Sequence, residues 1–480
     1  MDTQNPHVAI LPSPGMGHIT PLLEFGKRLV TLYGFHVSFF VLTTDASAAQ
    51  THLLRSANLP QGLNIIHLPP TDVSGLFPPD AAIETRMSII VRESVPALRS
   101  ALAELARPTV LVVDVFGTDT FPIADELHIP KYVFFTSTAM LLALLMYLPT
   151  LDVEVTGEYV HLQEPLQIPG CKPIQIENMV DPLQDRKNDR YGWVLHQACR
   201  YTMAQGILVN TCEDLEPITI KALKEDPILR KIPTPSIHPV GPIIQSNTPL
   251  VSGKECLTWL DRQPAESVIY VSFGSGGTLS AEQITELAWG LELSQQPFLW
   301  VVRPPSGNEK SATYFTSGGQ CGHPSEYLPD GFLTRTQGIG LVVPSWGPQR
   351  EILRHKATGG FLTHCGWNST LESIVYGVPM IAWPLFAEQK LNASTLTEEL
   401  KVAVRPMVLP EKEGVRREEI ERVVRLVMDS EDGKALRGRV KEVSDSVLRG
   451  LDEGGSSYNS LSNVVNEWKI NLQKPIGNVE

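Results

Sequence analysis

Short apolar segments alternate with helix-length amphipathic segments along most of the chain, in two successive series. The first series has apolar segments at residues 7–11, 36–42, 65–68, 109–116, 131–135 and 206–210, and the second at 267–273, 298–302, 340–346, 359–364 and 379–384. Because both faces of these segments are apolar, they predict strands buried on both sides of a parallel sheet. Residues 18–32 and 86–105 are typical of the intervening helices. The pattern therefore predicts the α/β class, with two Rossmann-like, doubly wound parallel-sheet domains.

A polar stretch, QSNTPLVSGKE at residues 245–255, separates the two series and is typical of a linker. We therefore expect an N-terminal domain at 1–245 and a C-terminal domain at 246–456, with a helix at about 457–480 that packs back on the first domain. Open parallel sheets bind ligands at the carboxyl ends of their strands, so we expect the two domains to face a common ligand cleft. The loops at 149–190 and 304–335 are the least predictable parts.

The charge balance and the apolar stretches exclude several classes of protein. The chain of 480 residues has 53 acidic and 40 basic side chains, a formal charge of -13, and no basic run that would track phosphates. Nucleic acid and anionic membrane are therefore not expected partners. The longest apolar stretch, at 140–148, is too short to span a bilayer, and a strand predicted from residue 7 leaves no room for a signal peptide. We expect a cytoplasmic, monomeric protein.

The cysteines form neither a CxxC pair nor a cluster with histidine at metal-ligand spacing. This scatter is typical of reduced thiols, so the sequence predicts no zinc or iron site. The six positions are Cys171, Cys199, Cys212, Cys256, Cys321 and Cys365.

The stretch PSPGMGHITP follows the first predicted strand and places His18 in the first turn of a helix. It lacks the third glycine of GxGxxG, and no Walker-type phosphate loop occurs, so dinucleotide and P-loop folds are poorly supported. His18 could cap a turn, or it could act as a general base if a carboxylate oriented its ring. Asp114, at the end of another apolar strand, is the candidate partner. Two alternatives remain open: Asp114 caps the next helix, or Asp119 is the relevant acid.

The second series carries denser polar groups at its strand ends. The turn VSFGSGGTL brings small residues and the Ser275 hydroxyl to the end of one strand. In GGFLTHCGWNSTLES, a buried strand ends at His364 and a helix begins near Asn368, so its free N–H groups suit a diphosphate. One turn further, Glu372 could accept from vicinal hydroxyls. The Trp346 indole could stack on a base.

Residues 346–389, WGPQREILRHKATGGFLTHCGWNSTLESIVYGVPMIAWPLFAEQ, resemble the signature box of plant secondary-product UDP-glycosyltransferases. That family has the two-domain GT-B fold, and the resemblance extends over the whole chain. PSPGMGH, VFGTD, LQIPGC, DPLQDRKND and YVSFGSGGTL further resemble the hydroquinone, or arbutin-forming, phenol glucosyltransferase group. Gly347 and Phe386 differ from the residues common in the family, as do Thr20 and Ser137 at positions expected to face the acceptor.

The resemblance implies a role for each matching residue. For UDP it implies that Trp346 stacks on uracil beside Gln349, and that Glu372 accepts from the ribose. The diphosphate ligands implied are Ser275, His364, Asn368 and Ser369. For the sugar it implies the Trp367 backbone, Glu388, Gln389 and, near the 6-hydroxyl, Thr138. In this family a histidine after the first strand is the base and a later aspartate orients it, which implies these roles for His18 and Asp114.

The expected reaction is inverting transfer of glucose from UDP-glucose to the hydroxyl of a small aromatic acceptor, without a permanently bound cofactor or a metal. We expect Glu84, Phe116 and Leu145 near the acceptor. An indoxyl-type hydroxyl and the nitrogen of a chloroaniline remain alternative acceptors. A non-catalytic nucleotide-sugar binder and an NAD-dependent oxidoreductase are the alternatives outside this class.

Overall fold

Seven parallel strands form the first sheet of the computed structural model. The structure describes residues 6–56, 58–105, 108–245, 253–306, 310–316, 322–408 and 414–473. In spatial order the strands are β3-β2-β1-β4-β5-β6-β7. Their bounds are β1 His7–Leu11, β2 His36–Val41, β3 Leu63–His67, β4 Val110–Val113, β5 Lys131–Phe135, β6 Gly206–Val209 and β7 Ser236–Pro239.

Six parallel strands form the second sheet, in the spatial order β10-β9-β8-β11-β12-β13. Their bounds are β8 Val268–Ser272, β9 Phe298–Val302, β10 Gly340–Pro344, β11 Thr358–Thr363, β12 Met380–Ala382 and β13 Ala403–Val404. In each sheet the order reverses direction at one place, between β1 and β4 in the first and between β8 and β11 in the second. Such switch points leave a crevice at the carboxyl ends of the strands, where open α/β sheets bind ligands.

Helices connect the strands of both sheets. Those up to residue 225 are α1 Met16–Tyr33, α2 Ala48–Ser56, α3 Ile83–Glu93, α4 Val95–Ala103, α5 Phe121–Glu126, α6 Ala139–Glu154, α7 Asp189–Tyr201 and α8 Pro217–Glu225. The later ones are α9 Lys254–Leu260, α10 Ala281–Ser294, α11 Phe332–Arg335, α12 Gln349–Arg354, α13 Trp367–Val375, α14 Gln389–Ser394, α15 Arg417–Asp429, α16 Glu431–Leu451 and α17 Ser456–Gln473.

Short helices of other types also occur. The 3-10 turns are Gly117–Thr120, Tyr159–His161, Ile176–Asn178, Asp181–Leu183, Leu229–Lys231 and Pro324–Glu326, and a π-helix spans Thr395–Glu399.

The chain divides into two compact units, each built on one sheet. One unit contains Met1–Ala46, Ala57–Ser246 and Arg449–Glu480, and the other contains Ser47–Ser56 and Asn247–Leu448. The predicted fold class is therefore confirmed at the level of two parallel-sheet, Rossmann-like units. All eleven predicted apolar segments overlap a strand, and three of them match its bounds: 7–11, 131–135 and 298–302.

The single helix predicted at 86–105 is wrong, because two helices, α3 and α4, occupy this region. Ser94 separates them, and Pro96 stands in the first turn of α4. A proline has no N–H to donate, and its ring would clash with the carbonyl four residues earlier, so this position disfavours one continuous helix. The short elements α2, β7 and β13 were not anticipated from the sequence.

The last helix, α17, packs against the first sheet through one large side chain. The Trp468 indole is buried, and it meets the rings of Tyr132 and Phe35 edge to face at centroid distances of 5.1 and 6.1 Å. Burial also raises the pKa of Tyr132 to about 12. Lys469 Nζ donates to the Tyr33 carbonyl at 3.0 Å. These contacts make α17 part of the first unit.

Within the described ranges, no helix has both the length and the apolar character needed to cross a membrane. Five cysteines of the described part take no part in a disulfide: Cys171, Cys199, Cys212, Cys256 and Cys365. Cys321 lies outside the described residues.

Replacing Trp468 with alanine is expected to destabilise the first unit. Truncation of a buried tryptophan costs about 3–5 kcal/mol through lost burial and the cavity left behind. A thermal melt should therefore show a midpoint several degrees lower. Ile470→Ala is the matched control on the same helix, because Ile470 is 55% exposed. Equal melting temperatures for the two variants would contradict the anchoring role of Trp468.

Candidate active site

His18 and Asp114 meet at the switch point of the first sheet. Leu11 of β1 lies opposite Val113 of β4, so the chain segments that leave these two strands start side by side. His18 is in the first turn of α1, and its Nδ1 lies 2.9 Å from Oδ2 of Asp114. The contact is short but bent, and Nδ1 has no aligned hydrogen-bond partner. The imidazole therefore lies next to the carboxylate.

The Asp114 carboxylate is fully buried and held by its neighbours. Oδ2 accepts from the Ser13 N–H at 2.7 Å, and Oδ1 accepts from the Ser13 hydroxyl at 2.6 Å. Oδ1 also accepts from the Phe116 N–H at 3.1 Å. A buried carboxylate is costly unless such donors compensate it. Ser13 was missed by the sequence analysis, although its place two residues after β1 was a usable signal.

The structure shows which of the two candidate carboxylates lies beside His18. Asp119 Oδ1 lies 2.8 Å from His196 Nε2, so this carboxylate has a different histidine partner. The 3-10 turn that follows β4, Gly117–Thr120, begins without a side-chain cap. Asp114 therefore caps neither that turn nor α5, and it is the carboxylate beside His18.

The predicted acceptor residues lie on different elements of the first unit. The Phe116 ring lies beside the His18 ring, with a centroid distance of 5.6 Å and an interplanar angle of 54°. Glu84 is in the first turn of α3, and Leu145 is buried within α6. Thr138, matched to the sugar site, is fully buried, and its hydroxyl oxygen caps α6 by accepting from the Leu141 N–H at 3.0 Å. Of these four residues, Phe116 has a ring contact with His18.

The switch point of the second sheet brings His364 against two glycines. His364 follows β11, and Ser275 lies in the turn after β8, which pairs with β11. A methyl group at Gly274 or at Gly366 would overlap the His364 Nε2 atom. Gly274 also has a φ of +72°, which favours glycine. The backbone therefore passes on both sides of the imidazole and fixes its position.

Helix α13 begins directly after His364. Its N-cap is Gly366, so no side chain caps the helix start. Trp367 is buried at its first position, and Asn368 and Ser369 follow in the first turn. The N–H groups and the positive dipole end of such a helix attract an anion. The predicted diphosphate residues are thus together around one helix start.

Gln349 connects the base and ribose positions predicted from the sequence. Its Nε2 donates to Glu372 Oε2 at 2.7 Å and to the Ser369 hydroxyl at 3.0 Å. Trp346, three residues earlier, is 42% exposed, so an indole face is available for stacking. These four side chains belong to α12, α13 and the loop after β10.

Gln389 opens α14 with its amide in a fixed orientation. Its Oε1 accepts from the Leu385 and Phe386 N–H groups at 2.8 and 3.1 Å. Since two donors hold the oxygen, the Nε2 group is left to donate elsewhere. Glu388 is the N-cap residue of the same helix. The pair predicted to bind sugar hydroxyls is thus adjacent on one helix start.

Burial shifts the pKa values of two candidate site residues in the second unit. Burial, with the positive charge of Arg303 in addition, lowers the pKa of His364 to about 3. Burial raises the pKa of Glu372 to about 7, although the Gln349 hydrogen bond acts in the opposite direction. Shifted groups at strand ends are typical of functional sites. His364 is therefore neutral near pH 7, and Glu372 is close to its titration midpoint.

Arg303 is a second residue that the sequence analysis missed. It follows β9, and its guanidinium donates to the Gly277 carbonyl at 3.1 Å, in the turn that contains Ser275. Its charge also acts on His364. Its position directly after an apolar strand was a signal by which the sequence analysis could have found it. In the part of the chain that the structure describes, no group of three or more His, Cys, Asp or Glu residues could hold a metal ion.

Strained backbone also marks the second unit's strand ends. Ser345, Cys365 and Ala387 have φ values of +63°, +64° and +57°, although none is a glycine. Each of them lies next to a predicted site residue, Trp346, His364 or Glu388. Such conformations cost about 1–3 kcal/mol each and cluster at ligand sites.

Comparison with known proteins identifies the family. A family model described as UDP-glucoronosyl and UDP-glucosyl transferase matches residues 228–430. Anthocyanidin 3-O-glucosyltransferase 5 from Manihot esculenta is 51% identical over 97% of this chain and 96% of its own length. Hydroquinone glucosyltransferase from Rauvolfia serpentina is 49% identical over 97% of this chain and 98% of its own.

Two solved structures are also similar. TcCGT1 in complex with UDP is 50% identical, with a TM-score of 0.93 over 98% of this chain and 100% of its own. A Polygonum tinctorium UDP-glucosyltransferase capable of glucosylating indoxyl, in complex with 3,4-dichloroaniline, is 45% identical, with a TM-score of 0.87 over the same shares. Fold and comparisons thus define a transferase of the GT-B class.

The chain belongs to the family of plant UDP-glycosyltransferases. It is an enzyme that transfers glucose to small-molecule acceptors, with a UDP-sugar as co-substrate. This confirms the family, the enzyme class and the co-substrate that the resemblance implied.

The His364 imidazole is expected to remain neutral in the ligand-free enzyme over the whole range from pH 5 to pH 8. Its pKa of about 3 lies below this range, whereas an exposed histidine titrates near pH 6.5. NMR of ¹³C-labelled histidine side chains would test this, with His364→Gln to assign the signal. A titration midpoint between pH 5 and pH 8 would contradict the burial argument.

Proposed function

We propose that the enzyme transfers glucose from UDP-glucose to the hydroxyl of a small aromatic acceptor, such as hydroquinone or another phenol, with inversion to a β-O-glucoside. The observation that carries the proposal is the His18–Asp114 pair, 2.9 Å apart at the switch point of the first sheet. The 49% identity to a hydroquinone glucosyltransferase supports the acceptor class.

In this reaction His18 is the general base. Its Nε2 takes the acceptor proton while the acceptor oxygen attacks the anomeric carbon, and the bond from that carbon to the UDP oxygen breaks on the opposite face. Asp114 faces Nδ1, which fixes the tautomer and stabilises the imidazolium that forms. A phenol ionises far more easily than an alkanol, so a histidine is a competent base for it.

The second unit is the proposed UDP-sugar domain, and the first the acceptor domain. Trp346 would stack on uracil, and Glu372 would accept from the ribose hydroxyls. The helix start with Asn368 and Ser369, together with His364 and Ser275, would bind the diphosphate and stabilise its charge as it leaves. The location of the proposed diphosphate ligands at the carboxyl ends of β8 and β11 supports this role. This arrangement supplies the stabilisation without a metal ion, and the sequence has no DxD motif.

The sugar contacts are proposed for Glu388 and Gln389 of α14 and for the Trp367 backbone. The fixed Oε1 of Gln389 leaves its Nε2 group as a hydroxyl donor, which supports this role. Thr138 is proposed near the 6-hydroxyl, where its own O–H could still donate although its oxygen caps α6. Glu84, Phe116 and Leu145 are proposed for the acceptor, and the Phe116 ring beside His18 gives the strongest support.

Indoxyl is the second candidate acceptor, and a chloroaniline nitrogen the third. A similar structure, of a transferase capable of glucosylating indoxyl, in complex with 3,4-dichloroaniline, favours both of them. That the protein is monomeric and cytoplasmic stays a prediction.

Replacing His18 with alanine should lower turnover of hydroquinone by at least about a hundredfold, because general-base catalysis contributes about that much. UDP affinity should stay within about twofold. Product mass from wild-type assays with phenols, indoxyl and chloroanilines would rank the acceptors. His161→Ala is the matched control at an exposed histidine.

Two results would overturn this proposal. Wild-type turnover in His18→Ala would remove the base assignment. Efficient transfer to non-aromatic alcohols, with none to phenols, indoxyl or anilines, would remove the acceptor class.

Uridine affinity should depend on pH through Glu372. Its raised pKa, about 7, means that the carboxyl is protonated below that pH and must lose a proton to accept from two ribose hydroxyls. Affinity should therefore fall as the pH is lowered below 7, by at most about tenfold per pH unit. Uridine is the ligand of choice for calorimetry because it has no titrating phosphate.

Glu372→Gln should bind uridine more weakly and with little pH dependence between pH 5.5 and pH 8. Retention of the wild-type pH slope in this variant would rule out Glu372 as its source. A flat wild-type profile would contradict the ribose role of the ionised carboxyl.

A further inference from the structure

One face of α7 holds the chain segment that follows Asp114. The contacts come from His196, Gln197, Arg200 and Tyr201, and they reach residues 115–119. His196 and Arg200 are four residues apart, as are Gln197 and Tyr201, so the four side chains form two neighbouring rows on one side of the helix. We call residues 115–119 the strand-end segment.

Tyr201 binds the beginning of the strand-end segment. Its phenol is buried and donates to the Val115 carbonyl at 2.9 Å. Burial, together with the nearby Asp114 charge, raises the pKa of Tyr201, so the phenol is a neutral donor. The residue directly after the Asp114 carboxylate is thus fixed from α7.

Arg200 and Gln197 bind the middle of the segment. The Arg200 guanidinium donates to the Thr118 carbonyl at 2.9 Å and to the Thr118 hydroxyl oxygen at 3.2 Å. That hydroxyl donates in turn to Gln197 Oε1 at 2.5 Å. Thr118 is fully buried, so these partners satisfy polar groups that water cannot reach.

His196 binds the end of the segment, where its Nε2 lies 2.8 Å from Asp119 Oδ1. Hydrogen bonds from α7 therefore begin at Val115 and end at Asp119. Between them, Phe116 donates its N–H to Asp114 Oδ1 and places its ring beside His18. A displacement of the segment would move the carboxylate partner and the aromatic wall together.

We infer that this face of α7 is a positioning element for the base, with Arg200 and Tyr201 as positioning residues that act on His18 through Asp114 and Phe116. This inference rests on the proposed function, because it assumes that His18 is the base. Misplacement of reacting groups by about 1 Å can cost up to a hundredfold in rate. The loss of one buried hydrogen bond from α7 should therefore appear in turnover.

The test compares Tyr201→Phe in two backgrounds, wild type and His18→Ala. Turnover is measured with hydroquinone, whose proton must be removed, and the His18→Ala enzyme is used at a higher concentration so that its slower rate remains measurable. In the wild-type background we expect kcat to fall by about tenfold with KM for UDP-glucose unchanged. In the His18→Ala background we expect a change below about twofold, because a residue that acts only through the base has nothing left to position.

Arg200→Met is the second variant, in case the first folds poorly, and Arg200→Lys should recover part of its activity because one donor for Thr118 remains. Cys199→Ser, at an exposed neighbour on the same helix, should match the wild type. The positioning role alone would be overturned if kcat fell by the same factor in both backgrounds. It would also be overturned if neither Tyr201→Phe nor Arg200→Met lowered kcat in the wild-type background. Full hydroquinone activity of His18→Ala would overturn the base assignment and the inference with it.

Discussion

The rest of the first unit's chemistry depends on one buried carboxylate at a sheet switch point. Asp114 exposes no surface, and its charge is compensated by the Ser13 N–H and hydroxyl and by the Phe116 N–H, while the His18 ring lies 2.9 Å away. Removal of any donor leaves a buried charge less well satisfied, which costs more than an ordinary hydrogen bond contributes. These donors therefore fix the Asp114 carboxylate at the strand end, beside the His18 ring.

The sequence was sufficient to predict the fold class and to name Asp114 as the candidate partner of His18. Apolar strands with no polar face predicted parallel sheets, and a carboxylate that ends such a strand needs a partner. Asp119 could not be excluded from the sequence, because the choice depends on His196, which lies on α7 far along the chain. The contacts between α7 and the segment after β4 were not predictable for the same reason. The packing of the helix, and not a local sequence pattern, brings the α7 side chains to this segment.

The second unit was easier to predict, because its candidate site is nearly contiguous in sequence. Residues 346–389 contain Trp346, Gln349, His364, Glu372 and Gln389, so one motif located most of the groups. Arg303 lies outside that stretch, and the pairing of β9 with β8 and β10 brings it to the same strand ends. The shifted pKa values of His364 and Glu372 come from burial, which is a tertiary property and is invisible in the motif.

The most direct measurement of the central claim, that His18 removes the acceptor proton, is kcat/KM of wild type and His18→Ala over a series of phenols of increasing acidity. If His18 is the base, the ratio of wild type to variant should shrink steadily as the phenol becomes more acidic, because an ionised phenol needs no base. A ratio that stays constant across the series would show that His18 acts by positioning or binding, and would contradict the account.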